Sequence, residues 1–168
     1  MQTENFKYLG AVEIFLLSSD KKKVLLLKRS LKRKVLPGFI AGLGGKMDSS
    51  VLEAPIESAY REIEEESGIK KNDIISLELK SIITAIDKYG KWFVFEFVGI
   101  LDNKFNINNI KQTDEGELAF YSINELENLN LIPDLKQGFL YNLLVSPNFY
   151  WVKSYFDEQN NFIKREIL

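Results

Sequence analysis

The sequence predicts an α/β sandwich, a mixed β-sheet with helices packed on it. Three observations carry that expectation. Short β-type apolar runs recur along the chain, one amphipathic helical stretch follows a glycine-rich segment, and two strand-like runs at the C-terminus flank a polar turn. With 168 residues, 45% of them hydrophobic and 27% charged, the chain suffices for one domain, residues 1–168, with a sizeable core.

The elements follow in order. "YLGAVEIFLLSSDKKKVLLLKR" holds two apolar runs around a polar SSDKKK turn and predicts a hairpin over Tyr8–Ser18 and Lys23–Arg29. "SLKRKVLPGFIAGLGGK", with Pro37, Gly38, Gly42, Gly44 and Gly45, reads as a glycine-rich loop. Pro55 suits the first turn of a helix; Ile56, Ala59, Tyr60 and Ile63 recur at helical spacing as its buried stripe, and Gly68 ends it. "DIISLELKSIITAI" and "KWFVFEFVGIL" predict two strands joined at Asp87-Lys88-Tyr89-Gly90. In the second, Phe93, Phe95 and Phe97 share one face while Trp92, Val94, Glu96 and Val98 share the other, which places Trp92 and Phe93 in the core and Glu96 at a solvated edge. "GELAFYSI" is a further strand, "INELENLNL" a short helix and "PDLKQGFLYNLL" a helix opened by Pro133 and Asp134. "FYWVKSYFDEQNNFIKREIL" closes the chain as a hairpin turning at residues 157–161.

Composition excludes several chemistries. With neither cysteine nor histidine, disulfides, Cys/His zinc sites and Ser-His or Cys-His catalysis are out. A net charge of −2 provides no field for duplex nucleic acid, so a nucleotide partner is expected to be small. "MQTENFKYLG" lacks a signal-peptide pattern and no apolar run approaches the ~20 residues of a membrane span, so a cytoplasmic protein without membrane partners is expected, as monomer or homodimer.

The acidic stretch "REIEEESGI" poses the functional question. Glu62, Glu65 and Glu66 share a helix face beside the apolar stripe, while Glu64 points elsewhere. A solvated acidic face is one reading, although Gly68 stops the helix before Lys70 and Lys71 could serve as i+4 partners. The other is a cation site. Gly44-Gly45-Lys46 can bring bare backbone to that face, and backbone carbonyls with carboxylates make a hard-oxygen set suited to Mg²⁺ or Mn²⁺.

"GGKMDSSVLEAPIESAYREIEEESGI" resembles the Nudix box, G-x5-E-x7-R-E-U-x-E-E-x-G-U with U bulky and apolar. Glu53, Arg61, Glu62, Ile63, Glu65, Glu66, Gly68 and Ile69 stand in register, and Gly45 supplies the first glycine. Seven residues, not five, separate Gly45 from Glu53, which a two-residue loop insertion accounts for. The resemblance implies a Nudix-type α/β/α sandwich with helices on both sides of the sheet and hydrolysis of a nucleoside diphosphate linked to another moiety. It implies that Glu62, Glu65, Glu66 and the Gly45 carbonyl hold Mg²⁺, with Mn²⁺ able to substitute, and that Arg61 orients a glutamate, with Glu53 its partner. The family often adds an acid from outside the box, and Glu115, before Gly116, matches that position; an ordinary loop residue is the alternative. With histidine absent, a general base must be a carboxylate or the metal's own water.

Lys28, Arg29, Lys32, Arg33, Lys34 and Lys46 could draw in a polyphosphate, Arg29 foremost, or simply be solvated surface; Phe39 and Tyr60 could stack on a base. The remaining chain is similar to MutT-type 8-oxo-dGTP diphosphatases with an extra C-terminal hairpin. Asp134 sits where that subgroup carries a purine-reading aspartate. Two departures bear on the base: Ala41 stands where relatives often use asparagine, and Leu135 replaces a second acid. The expected activity is therefore Mg²⁺-dependent cleavage of a nucleoside triphosphate, an oxidised purine foremost, to monophosphate and pyrophosphate. The alternatives are a pyrophosphatase of ADP-ribose or a nucleotide sugar, and a Nudix module that binds a nucleotide without cleaving it.

Overall fold

The computed structural model describes residues 8–88 and 90–168; the first seven residues of the N-terminal stretch read for a signal and Tyr89 of the expected turn lie outside them. Among the described residues are nine strands and two α-helices: β1 Tyr8–Leu17, β2 Lys23–Arg29, β3 Ile40–Ala41, β4 Leu43–Lys46, α1 Pro55–Ser67, β5 Ile74–Asp87, β6 Gly90–Leu101, β7 Gly116–Ser122, α2 Phe139–Val145, β8 Tyr150–Phe156 and β9 Phe162–Ile167. The strands make one mixed sheet in the order β3-β2-β1-β6-β5-β8-β9, with β4 paired to β1 and β7 to β2. β1–β6 and β5–β8 are parallel and the other pairs antiparallel. Among the described residues no helix is long and apolar enough to cross a membrane.

Alternation along β1 shows how the sheet is held. Val12, Ile14 and Leu16 enter one core with Ala59 and Ile63 of α1; Phe15 and Leu17 enter the other with Leu140 and Leu143 of α2. A sheet apolar on both faces needs a helix on each, as the resemblance implied.

Several local expectations change. The β1–β2 hairpin pairs only near its turn, at Leu16↔Leu25 and Leu17↔Val24. Beyond it β2 runs along β7, and β1 is covered by β4, Ala11↔Lys46 through Ile14↔Leu43. The segment expected as a loop thus carries two short strands. Ile56 is exposed, so the stripe of α1 rests on Ala59 and Ile63. "INELENLNL" forms a 3₁₀ helix, Ile123–Asn128. "PDLKQGFLYNLL" is split into a 3₁₀ turn, Pro133–Leu135, and α2, because Gln137 (φ 60°) and Gly138 (φ 74°) are left-handed and interrupt a continuous helix.

The largest correction concerns Glu96. It is not at an edge but fully buried, and neither carboxylate oxygen has a hydrogen-bond partner among the described residues. β6 is central to the sheet, with Glu13 and Ser81 as its register partners on either side, so solvent has no route in. Burial pushes Glu96 up to about 8 against the pull of the neighbouring Ser81 hydroxyl, which lies near it without meeting hydrogen-bond geometry; Asp134 adds repulsion and Arg165 partly offsets it.

An ordinary glutamate ionises near 4.5. In the window between there and about 8 the unfolded chain therefore gives up this proton while the folded chain keeps it, and stability falls as pH rises. Glu96→Gln is expected to be more stable than wild type at pH 8.5 and to flatten the decline in urea midpoint from pH 5 to 8. An unchanged slope would contradict a proton held at this position.

Candidate active site

α1 begins at Pro55, with the Glu57 carboxylate accepting the Ala54 N–H (2.8 Å), and ends at left-handed Gly68. This frame sets the box acids at different depths. Glu62 and Glu66 are buried where α1 meets β4, whereas the Glu65 side chain is 60% exposed. Glu64 points away and pairs with Lys70 across the Gly68 turn, so a lysine does balance one glutamate although the helix has ended.

The diglycine brings backbone to these acids. Gly44 has φ +147° and a Cβ there would lie 2.1 Å from the Val12 carbonyl, so only glycine fits. Its N–H donates to Glu66 Oε2 (3.0 Å). Gly45 lies against Glu62, where a Cβ would come within 2.6 Å of the carboxylate oxygen. Gly45→Ala is thus expected to push Glu62 aside and weaken Mn²⁺ affinity about tenfold or more, by calorimetry, with a smaller effect on the urea midpoint. Wild-type affinity would argue against a role for this contact.

Arg61 organises the edge. Its Nε and Nη2 grip Glu53 in a fork (2.8 and 3.2 Å), Nη1 donates to Glu62 Oε1 (2.6 Å) and Glu65 Oε2 (3.3 Å), and Nη2 also reaches Ser58 Oγ (3.1 Å) and the Lys46 carbonyl (3.3 Å). The Arg61 fork and the Asp48 N–H hold Glu53 down at about 2. The insertion ahead of Glu53 forms a surface turn, tied by Asp48 to Ser50, that leaves Leu52 exposed.

Burial raises Glu62 against the pull of Arg61. Burial, with a hydrogen bond shared with Glu115 next, pushes Glu66 up to about 8. Glu115 therefore reaches the Glu66 end of the cluster, while its Oε1 pairs with Arg33 (3.1 Å). Among the described residues no three carboxylates already converge on one point as a closed cage. Arg61 holds Glu62 and Glu65, and Gly44 holds Glu66. In chemistry the donors still fit a hard divalent cation: bare backbone beside crowded, half-desolvated carboxylates whose repulsion such an ion would relieve.

A cavity of about 550 Å³ opens from this edge. Arg29, Arg33 and Lys46 line one part, Ala41, Trp92, Val94 and Ile132 another. Arg29 is half buried and its Nε donates to the Val35 carbonyl (3.1 Å). Trp92 was expected in the core but forms cavity wall, with Lys46 over its ring (5.4 Å), and Phe93 is 38% exposed. Phe39 and Asp134 do not line this cavity: Phe39 packs on the α2-side core, and Asp134 sits close enough to Glu13, Glu96 and Arg165 for their charges to act on one another. Glu13 on β1, which the sequence reading passed over, is on the wall and accepts the Gly42 N–H at Oε1 (3.0 Å). One polar residue within an apolar strand was its sequence signal. A second cavity of about 530 Å³, walled by Trp92, Phe93, Tyr155 and Phe156 among others, has no carboxylate in its lining and offers no metal chemistry.

The pattern of the NUDIX domain matches residues 7–142, most of the chain, including the diglycine turn, α1 and Glu115. The chain belongs to the Nudix family. The Nudix hydrolase YvcI of Bacillus subtilis, itself uncharacterized, is 34% identical over 131 residues, 75% of this chain and 74% of that protein. Solved structures share the Nudix fold. A MutT protein from Bacillus halodurans has a TM-score of 0.71 at 21% identity, covering 95% of this chain and 97% of its own. An Ap4A hydrolase of C. elegans has a TM-score of 0.61 at 16% identity, covering 81% and 92%. The chain is a Nudix hydrolase homologue, of a family acting on nucleotide derivatives with divalent metal ions, typically Mg²⁺.

Proposed function

We propose that this protein is a Mg²⁺-dependent nucleoside triphosphate pyrophosphohydrolase, releasing monophosphate and pyrophosphate, with an oxidised purine such as 8-oxo-dGTP as the favoured class. The observation that carries it is the adjacency of the Gly44-Gly45 turn, docked on Glu62 and Glu66, to a cavity with Arg29, Arg33 and Lys46 in its wall.

Glu62, Glu65, Glu66 and the Gly45 carbonyl, with Glu115, would hold the divalent ion. When bound, that ion neutralises the polyphosphate and makes an attacking water more acidic. The protein's own groups do the rest. Arg29, Arg33 and Lys46 bind phosphate oxygens, Arg61 and Glu53 fix the acids, and the Gly44 N–H orients Glu66. Water attacks a phosphorus, the phosphoanhydride oxygen leaves with its electron pair, and the water's proton passes to a carboxylate oxygen of this edge.

The test is a substrate panel in Mg²⁺ with product identification: 8-oxo-dGTP, the common nucleoside triphosphates, ADP-ribose and a nucleotide sugar. Monophosphate with free pyrophosphate is the expected result. Cleavage of ADP-ribose alone would replace this reading with a diphosphate-sugar activity; calorimetric binding without any product would replace it with a binding module. The complete set of box acids supports catalysis over binding alone.

A further inference from the structure

β9 ends the sheet, and among the described residues no strand pairs with its outer edge. Such an edge presents a row of unpaired N–H and C=O groups to any extended chain, a second copy of the same strand included. The ladder to β8 determines which groups those are. It is regular from Tyr155↔Lys164 to Val152↔Ile167, and the Leu168 N–H donates to the Trp151 carbonyl (2.9 Å). Bonded and non-bonded pairs alternate along an antiparallel ladder, so Lys164 and Glu166 turn their backbone toward β8 while Arg165 and Ile167 turn theirs outward.

The side chains divide by face as well. Lys164 and Glu166 stand together and exposed, with Lys164 Nζ donating to Glu166 Oε1 (2.7 Å) and the Tyr155 hydroxyl to Oε2 (2.8 Å). Arg165 leaves on the other face, its guanidinium over the Phe139 ring (4.0 Å) and its Nη2 donating to the Lys136 carbonyl (3.2 Å). Ile163, at the bulge, and Ile167 are both exposed.

Two copies of β9, antiparallel about a two-fold axis at Arg165, satisfy both patterns. Outward-turned residues then oppose outward-turned residues, as bonding requires, and Ile163 comes alongside the second copy's Ile167. Lys164 stands opposite the second copy's Glu166, and Glu166 opposite its Lys164, at the closely spaced non-bonded positions where side chains interact most strongly. The neighbouring registers set Lys164 on Lys164 or Glu166 on Glu166, and like charges directly opposite repel. On the axis itself, Phe139 and Lys136 draw each Arg165 guanidinium inward. A lysine on an edge strand ordinarily keeps other strands away; the glutamate two residues on makes this edge complementary to itself.

We propose that this protein forms a two-fold dimer by pairing β9 with the β9 of a second copy, in the register that sets Lys164 against Glu166, so that one sheet runs through both copies. This pairing is independent of the hydrolysis proposed above.

The experiment is sedimentation velocity on the full chain. Wild type is expected to pass from monomer toward dimer between about 5 and about 500 µM, as suits a small, transient interface. Lys164→Glu and Glu166→Lys each make both charge pairs repulsive, and each is expected to raise the dissociation constant about tenfold or more. Mixed in equal amounts, the two variants are expected to dimerise with each other, and a Lys164→Glu/Glu166→Lys double variant with itself, because both arrangements restore opposite charges. Ile167→Pro removes an outward N–H that β8 does not use, and is expected to keep the fold and lose the dimer. Circular dichroism melting checks that every variant is folded. A wild type still monomeric at the highest concentration overturns the inference. So does a dimer undiminished in both single charge variants, or one that neither the mixture nor the double variant restores.

Discussion

Glu66→Gln is expected to lower kcat in Mg²⁺ by about 10³-fold, and Glu65→Gln by a comparable factor, with the fold intact; losing one group that offsets developing charge typically costs about 10²–10³. Glu66 is 5% exposed, and its Oε2 takes the Gly44 N–H. A glutamine can keep that bond through its amide oxygen, so the variant removes charge without removing shape. Stability should then move opposite to activity. Without a cation, Glu66 sits beside Glu62 and Glu115 in a desolvated edge that pushes it up to about 8. Neutralising it relieves that repulsion, and the variant should melt above wild type in EDTA while failing to gain stability from added Mn²⁺. Turnover within a few-fold of wild type, or an undiminished stabilisation by Mn²⁺, would refute the metal role of this edge.

Arg61→Ala is expected to cost about 2–4 kcal/mol of stability at pH 7, since removing one partner strands the others' buried charge. The Glu53 and Glu62 side chains are only 9% and 11% exposed and both depend on this guanidinium. Arg61 itself is 32% exposed, so the loss should fall below that of a fully enclosed pair. The pH dependence separates this cause from lost packing. Glu53 is held down at about 2, so its contribution is present above an ordinary glutamate's 4.5 and disappears as pH falls toward 2. Urea midpoints should differ strongly at pH 7 and much less at pH 3. Arg61→Lys should recover little, because an ammonium cannot fork onto Glu53 while reaching Glu62. A difference constant with pH would mean that the guanidinium acts mainly as packing.

Where the sequence read well, the signal was local. The 3.6-residue period, Pro55 and Gly68 delimit α1, and the register of the box alone pairs Arg61 with Glu53. The terminal hairpin follows from two β-type runs and a polar turn. Glu96 read badly because alternation assigns a face without saying what covers it; β5 and β8 cover it from beyond β6, and Glu13 reaches it from β1. The split before α2 was missed because neither Gln137 nor Gly138 breaks the apolar period of the segment, although both break its backbone.

The chain's own order of residues determined the chemistry: hard-oxygen donors and a guanidinium at fixed helical spacing, without cysteine or histidine to offer another kind, because these depend on residue type and on neighbours a few positions apart. Which of those acids are buried, that Glu13 and Glu96 face each other across parallel strands, and that Asn160 meets Ala41 over one cavity were decided only by the assembled sheet. Strand pairing joins positions as far apart in sequence as Lys23 and Ser122, and no local pattern encodes that closure.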